Sequence, residues 1–205
     1  SGKTVYAHAA DALMVPASTA KIFTAALALD TFGPEYRIPT SLFATQEVRR
    51  DGELRGDLIL VGYGDPTLGT EKRRNWADQL AVALRKSGVQ SVRGSLIADA
   101  SWFASPLFGS GWEAADLQSW FGAPASALSV DENVFRIEVR PAPLAGATAR
   151  IALDPKPAAL EIENNLRTLK APARTDISLY RAPGDTVLHA FGSIASDAAA
   201  QHYRL

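Results

Sequence analysis

The sequence predicts an α/β layer followed by an all-β segment, and three observations carry that prediction. Apolar residues recur at helical spacing over Ser18–Leu29 and over Trp76–Lys86. Asp51-Gly52 separates two strand-like runs, Ser41–Arg49 and Leu54–Val61. Beyond Pro141 only short alternating runs remain, punctuated by prolines and glycines.

Taken in order, Lys3–Ala7 suits a strand, because Val5 and Tyr6 favour a pleated surface. The first helix follows Pro16 and is stopped by Gly33 and Pro34. The second carries Leu80, Ala83 and Leu84 on one face, with Asn75 as its N-cap and Gly88 as its C-terminal stop. Val92–Ala98 reads as a strand. Asn133–Arg140 alternates Phe135, Ile137 and Val139 against Arg136, Glu138 and Arg140, the pattern of a half-buried strand. Pro141-Ala142-Pro143 reads as a connector, and Leu160–Glu163, Ile177–Tyr180, Val187–Phe191 and Tyr203–Leu205 as strands. These breaks divide the chain into 1–40, 41–142 and 143–205.

Composition limits function. With 21 Lys+Arg against 22 Asp+Glu, the formal net charge is -1, which gives no electrostatic reason to bind nucleic acid or an anionic membrane. The absence of cysteine excludes disulfides, thiolate metal sites and a cysteine nucleophile. No apolar run approaches the roughly 18 residues of a spanning helix. The chain opens without the basic-then-apolar layout of an export signal. His8, His189 and His202 lack the spacing of a helical zinc pair, so no metal site and no cofactor is expected. Gly62-Tyr63-Gly64-Asp65-Pro66 lacks the Lys-Ser/Thr of a phosphate loop and reads as a tight turn after a strand. Asp131/Glu132 and Glu161/Glu163 read as solvated surface carboxylates.

One constellation carries chemistry. Ser18-Thr19-Ala20-Lys21 sets a hydroxyl and an amine three residues apart at a helix start, within reach of one another. Ile22, Ala25, Ala26 and Leu29 form a stripe that Ser18 and Lys21 flank. A serine hydroxyl is a poor nucleophile until a base takes its proton, and a lysine amine with an ordinary pKa near 10.4 is protonated. Desolvation on an apolar face lowers that pKa and leaves some neutral amine near pH 7. The alternative is an amine that bends outward to water.

Val15–Leu29 resembles the first active-site motif of the penicillin-recognising serine enzymes. The resemblance extends through Gly56–Pro66, Gly94–Phe103, Gly111-Trp112, Ala123–Ser129 with Asn133, and Ile162–Asn165. Together these segments are similar to the class C low-molecular-mass penicillin-binding proteins, D-alanyl-D-alanine carboxypeptidases that often also act as endopeptidases on peptidoglycan. The resemblance implies that residues 1–40 belong to a transpeptidase-like catalytic domain. It implies that 41–142 is a small α/β accessory domain and 143–205 a truncated, β-rich one. It further implies Ser18 as the acylated nucleophile, Lys21 as general base, and the Ser18 backbone N–H as an oxyanion donor. Asp99 and Phe103 would approach the substrate, the carboxylate meeting an amino group. Peptidoglycan stem peptides and β-lactams would be the partners, in a periplasmic or other extracytoplasmic setting.

The family's Ser-x-Asn motif does not occur, and Lys3-Thr4-Val5 stands too early, without the glycine, to be its Lys-Thr-Gly motif. The chain is therefore expected to be an amino-terminal portion with little activity by itself. Two other functions compete: a non-catalytic module that binds peptidoglycan or a protein partner, and an unrelated esterase built on the same Ser-Lys pair.

Overall fold

The computed structural model describes residues 2–156 and 159–205. Two compact units result, residues 1–38 and 39–205.

In the first unit, Pro16 leads into a 3-10 turn at Ala17–Ala20, which passes directly into helix α1 at Lys21–Phe32. The helix outruns its expected end at Leu29 by almost a turn. Gly33, at φ 76°, closes it by donating its N–H to Leu29 O at 3.0 Å. The ring of Phe32 stacks on Tyr36 at 4.8 Å. The strand expected at Lys3–Ala7 does not form. A strand's N–H and C=O groups need a partner edge, and no described segment pairs with these residues.

The second unit begins with a three-stranded sheet in the order β1 (Thr40–Ala44), β3 (Leu58–Gly62), β5 (Leu96–Asp99). β1 and β3 run antiparallel, with Leu42 opposite Leu60, and β5 joins β3 in parallel. The Asp51-Gly52 turn forms: the Asp51 carboxylate accepts the Glu53 N–H at 3.0 Å. Its arms are shorter than expected, since β2 (Glu53–Leu54) leaves the hairpin to pair in parallel with β4 (Ser91–Val92). Leu54, Leu58 and Val89 fill a small core there, packed by Leu42, Val48 and Leu84.

Helix α2 occupies Trp76–Lys86, as its periodicity predicts. Asn75 sits at the N-cap position but does not cap. Its side chain accepts from Gln79 Nε2 at 2.9 Å instead of from a first-turn backbone N–H.

From Arg136 onward every described helix or strand element is a β-strand. β6 (Arg136–Arg140) lies between β7 (Arg150–Asp154) and β11 (Gln201–Arg204), both antiparallel to it. A second sheet places β10 (Val187–Ala195) between β8 (Glu161–Leu169) and β9 (Asp176–Tyr180). β8 pairs with β10 in parallel, and β9 pairs with it antiparallel. The inward residues of these strands make the main core: Ile137 and Val139 from β6, Leu166 from β8, and Leu188, Ala190 and Ile194 from β10. The alternation along β6 is as expected, with Ile137 and Val139 buried and Arg136 and Arg140 exposed. One buried polar side chain supports this core: Thr168 Oγ1 accepts the Ala142 N–H at 2.9 Å.

Candidate functional site

Ser18 and Lys21 meet. The 3-10 turn tightens the spacing at the head of α1, and Lys21 Nζ lies 2.9 Å from Ser18 Oγ. That separation is within the range for direct proton transfer between a nucleophile and its base. Thr19 fixes the turn by donating its backbone N–H to Pro16 O at 3.0 Å and its hydroxyl to the same carbonyl. Ala17, immediately before Ser18, has φ 44°, a left-handed conformation that a residue with a Cβ adopts at a cost. The serine is thus presented from a tight, bent turn rather than from a regular helix face. Among the described residues no carboxylate pairs with Lys21, and no acidic residue occupies the first turn of α1.

The expected apolar cover over the amine is not there. No residue of α1 is buried, and Ile22, Phe23 and Leu27 are each about two-thirds or more exposed. The expected single stripe also misses half the pattern. At about 100° per residue, Phe23 and Leu27 fall on a different side from Ile22 and Leu29, so the helix is apolar nearly all round. One helix and a coil supply too few layers to cover such a rod.

Asp99 and Phe103 lie in the second unit. Asp99 ends β5, beside Val61 of β3. Its carboxylate accepts the Ser101 backbone N–H at 2.8 Å. Hydrogen bonding from the Ser101 side chain, then from its backbone, holds Asp99 below the usual carboxylate range. Phe103 lies over the turn that follows β3. A Cβ on Gly64 would fall 2.6 Å from Phe103 Cζ, and Gly64 has φ 96°, so both space and backbone call for glycine there. Trp102 meets Tyr63 edge-on at 5.0 Å. Both aromatic side chains of the 102–103 pair are substantially exposed.

The Gly62–Pro66 segment is a turn, as its sequence indicates. Asp65 is buried and turned inward, accepting from the Thr67 N–H at 2.9 Å and the Thr67 hydroxyl at 2.7 Å and pairing with Arg73. Asn133 also looks inward, donating to Ser129 Oγ at 3.1 Å and to Pro124 O at 3.3 Å. His189 pairs with Glu163 at 2.8 Å on an exposed sheet face. Among the described residues no group of His, Asp or Glu is arranged to hold a metal ion, and no helix is long and apolar enough to cross a membrane. The sequence reading did not anticipate a cleft between the 66–74 loop and the 131–134 turn. Asp131 faces it from a half-buried position rather than from open surface.

Comparison with known proteins identifies the family. The D-alanyl-D-alanine carboxypeptidase of Actinomadura sp. (strain R39) is 34% identical over an alignment of 205 positions, covering 97% of this chain and 37% of that protein. The D-alanyl-D-alanine carboxypeptidase DacB of Haemophilus influenzae is 34% identical over 126 positions, 62% of this chain and 25% of that protein. The crystal structure of penicillin binding protein 4 (dacB) from Haemophilus influenzae superposes with a TM-score of 0.74 at 26% identity, covering 93% of this chain and 41% of the other. A second crystal structure of that protein, complexed with a β-lactam, shares the fold with a TM-score of 0.62 at 23% identity. The chain thus spans between about a quarter and two fifths of the length of the relatives it matches. The model of the D-Ala-D-Ala carboxypeptidase 3 (S13) family matches residues 1–204, and the chain belongs to that family.

Proposed function

We propose that this chain is part of a serine-type D-alanyl-D-alanine carboxypeptidase that trims peptidoglycan stem peptides and is acylated by β-lactams. The observation that carries the proposal is the 2.9 Å contact between Lys21 Nζ and Ser18 Oγ.

The chemistry follows from that pair. A neutral Lys21 amine accepts the Ser18 hydroxyl proton as Oγ attacks the carbonyl carbon of the penultimate D-alanine. The carbonyl oxygen gains the negative charge, and in this reading the Ser18 backbone N–H donates to it. Collapse of this intermediate breaks the peptide bond, and the proton held on Lys21 passes to the leaving amino group of the terminal D-alanine. Water then attacks the ester by the same route, which returns Ser18 to its hydroxyl form. A β-lactam follows the first half of this path through its strained amide, and the acyl group stays on Ser18 Oγ.

The exposed apolar surface of α1 fits a helix that is covered in the intact enzyme. We place that cover, and the Ser-x-Asn and Lys-Thr-Gly motifs absent here, in the part of a family-length protein that this sequence does not include. Residues 41–142 and 143–205 are then accessory domains within the second unit. The family resemblance assigns Asp99 to a substrate ammonium and Phe103 to its flank. Stem peptides put the site of action outside the cytoplasmic membrane.

In a family-length protein carrying this sequence, a labelled penicillin attaches covalently at Ser18, and Ser18→Ala abolishes the adduct. Lys21→Ala leaves the serine in place and slows acylation by about 10²–10⁴-fold, the usual worth of a positioned general base. Labelling that survives Ser18→Ala overturns the assignment. The 205-residue chain alone labels weakly or not at all.

A further inference from the structure

The second unit contains a cleft of about 770 Å³, within the range of sites that hold a small ligand. Three ion pairs stand along it: Arg74 with Glu71 at 3.4 Å, Arg136 with Asp154 at 3.7 Å, and Arg204 with Glu132 at 2.8 Å. Two further charges line it, the Lys72 ammonium and the Asp131 carboxylate, and among the described residues neither has an ion-pair or side-chain hydrogen-bond partner. The walls that carry these two charges are firmly built. Asp131 donates its N–H to Leu68 O at 2.9 Å, and its carboxylate lies across Gly69. A Cβ on Gly69 would come within 2.6 Å of Asp131 Oδ1. Asp131, Glu132 and Asn133 hold φ values of 52°, 60° and 57° in succession, a strained run secured by the inward bonds of Asn133. On the other wall, the inward-turned Asp65 fixes the loop that presents Lys72.

Charge selects the ligand. A phosphate or other anion entering this cleft meets acidic groups beside the basic ones, and a metal cation meets guanidinium groups. A molecule carrying one charge of each sign meets a free partner for both. We propose that the cleft binds a short peptide with a free amino and a free carboxyl terminus, the ammonium on Asp131 and the carboxylate on Lys72. All the lining residues belong to the second unit, and Ser18 is not among them.

The test is an NMR titration of the 205-residue chain with D-alanyl-D-alanine, its N-acetyl derivative and its C-terminal amide. The dipeptide shifts the backbone amides of Gly69 and Asp131, and blocking either end weakens binding by about three- to tenfold. In Asp131→Asn, a change compatible with the left-handed backbone, N-acetylation no longer weakens binding further. In Lys72→Gln, amidation of the carboxylate no longer does. The ligand-side comparison needs no variant, so it stands even if a substitution disturbs the fold. Equal binding of the blocked and free dipeptides overturns the inference. So does loss of the Gly69 and Asp131 shifts in Ser18→Ala, a result that places the peptide at the serine and leaves the carboxypeptidase reading intact.

Discussion

Leu29 of α1 is 58% exposed, whereas Leu188 of β10 is fully buried. The two leucines represent their surroundings. Residues 1–38 hold the candidate nucleophile and base on an apolar helix with no cover. Residues 39–205 hold a packed core between two three-stranded sheets. The packed core and the candidate Ser18–Lys21 pair therefore lie in different parts of this chain. A side-chain hydrogen bond can form without a packed environment, as the one between Lys21 and Ser18 does.

The contrast is sharpest in the core. Leu188→Ala removes buried methyl groups from a site with no exposure, and urea unfolding should show a loss of about 2–5 kcal/mol. Leu29→Ala should change the same transition by no more than about 0.5 kcal/mol, because its side chain is largely in water already. Equal effects would mean that α1 is covered in solution. Gly64→Ala is the next largest change. It adds a Cβ at positive φ against the Phe103 ring and should destabilise by about 1–3 kcal/mol, with a change in near-ultraviolet signal as Phe103 and Trp102 move. Thr168→Val keeps the shape of the core but leaves the Ala142 N–H without its acceptor, a cost of about 1–2 kcal/mol by urea unfolding.

The smallest effect is electrostatic. Glu53 on β2 accepts from Arg55 at 2.6 Å and Arg93 at 2.9 Å. The Arg55 bond first, then the Arg93 bond, holds its carboxyl below the usual range. Because the folded pKa lies below the unfolded one, this contribution is complete above the unfolded value, near 4.5, and is lost as pH falls through the folded value. Glu53→Gln should therefore flatten the acid limb of a stability-against-pH curve and leave its neutral region the less stable. An unchanged acid limb would remove Glu53 from the account.

The sequence made much of the β-rich half legible, because period-2 alternation and turn residues act locally. Ile137 and Val139 are buried where the pattern puts them, and α2 has its expected bounds. β7 does alternate, with Ile151 and Leu153 on its less exposed face, but it is a short run set between the Pro141–Gly146 connector and Pro155, so it reads as part of the loop. The β2–β4 pairing was missed because a parallel contact between distant residues leaves no local signature. The Lys3–Ala7 strand failed for the complementary reason, since propensity names a strand but cannot supply its partner. At the site, i and i+3 spacing was enough to bring Ser18 and Lys21 together. It was not enough to reveal that Asp99 is held by Ser101, or that Asp131 lines a cleft. Those depend on turns and on segments brought together by the sheets.

The most direct measurement is the site of β-lactam attachment, read by intact mass and peptide mapping on a family-length protein that contains this sequence. The account predicts one added acyl group per chain, on Ser18, that disappears in Ser18→Ala and forms far more slowly in Lys21→Ala. An acyl group on another serine, or a Lys21→Ala protein that acylates at the unaltered rate, would contradict it.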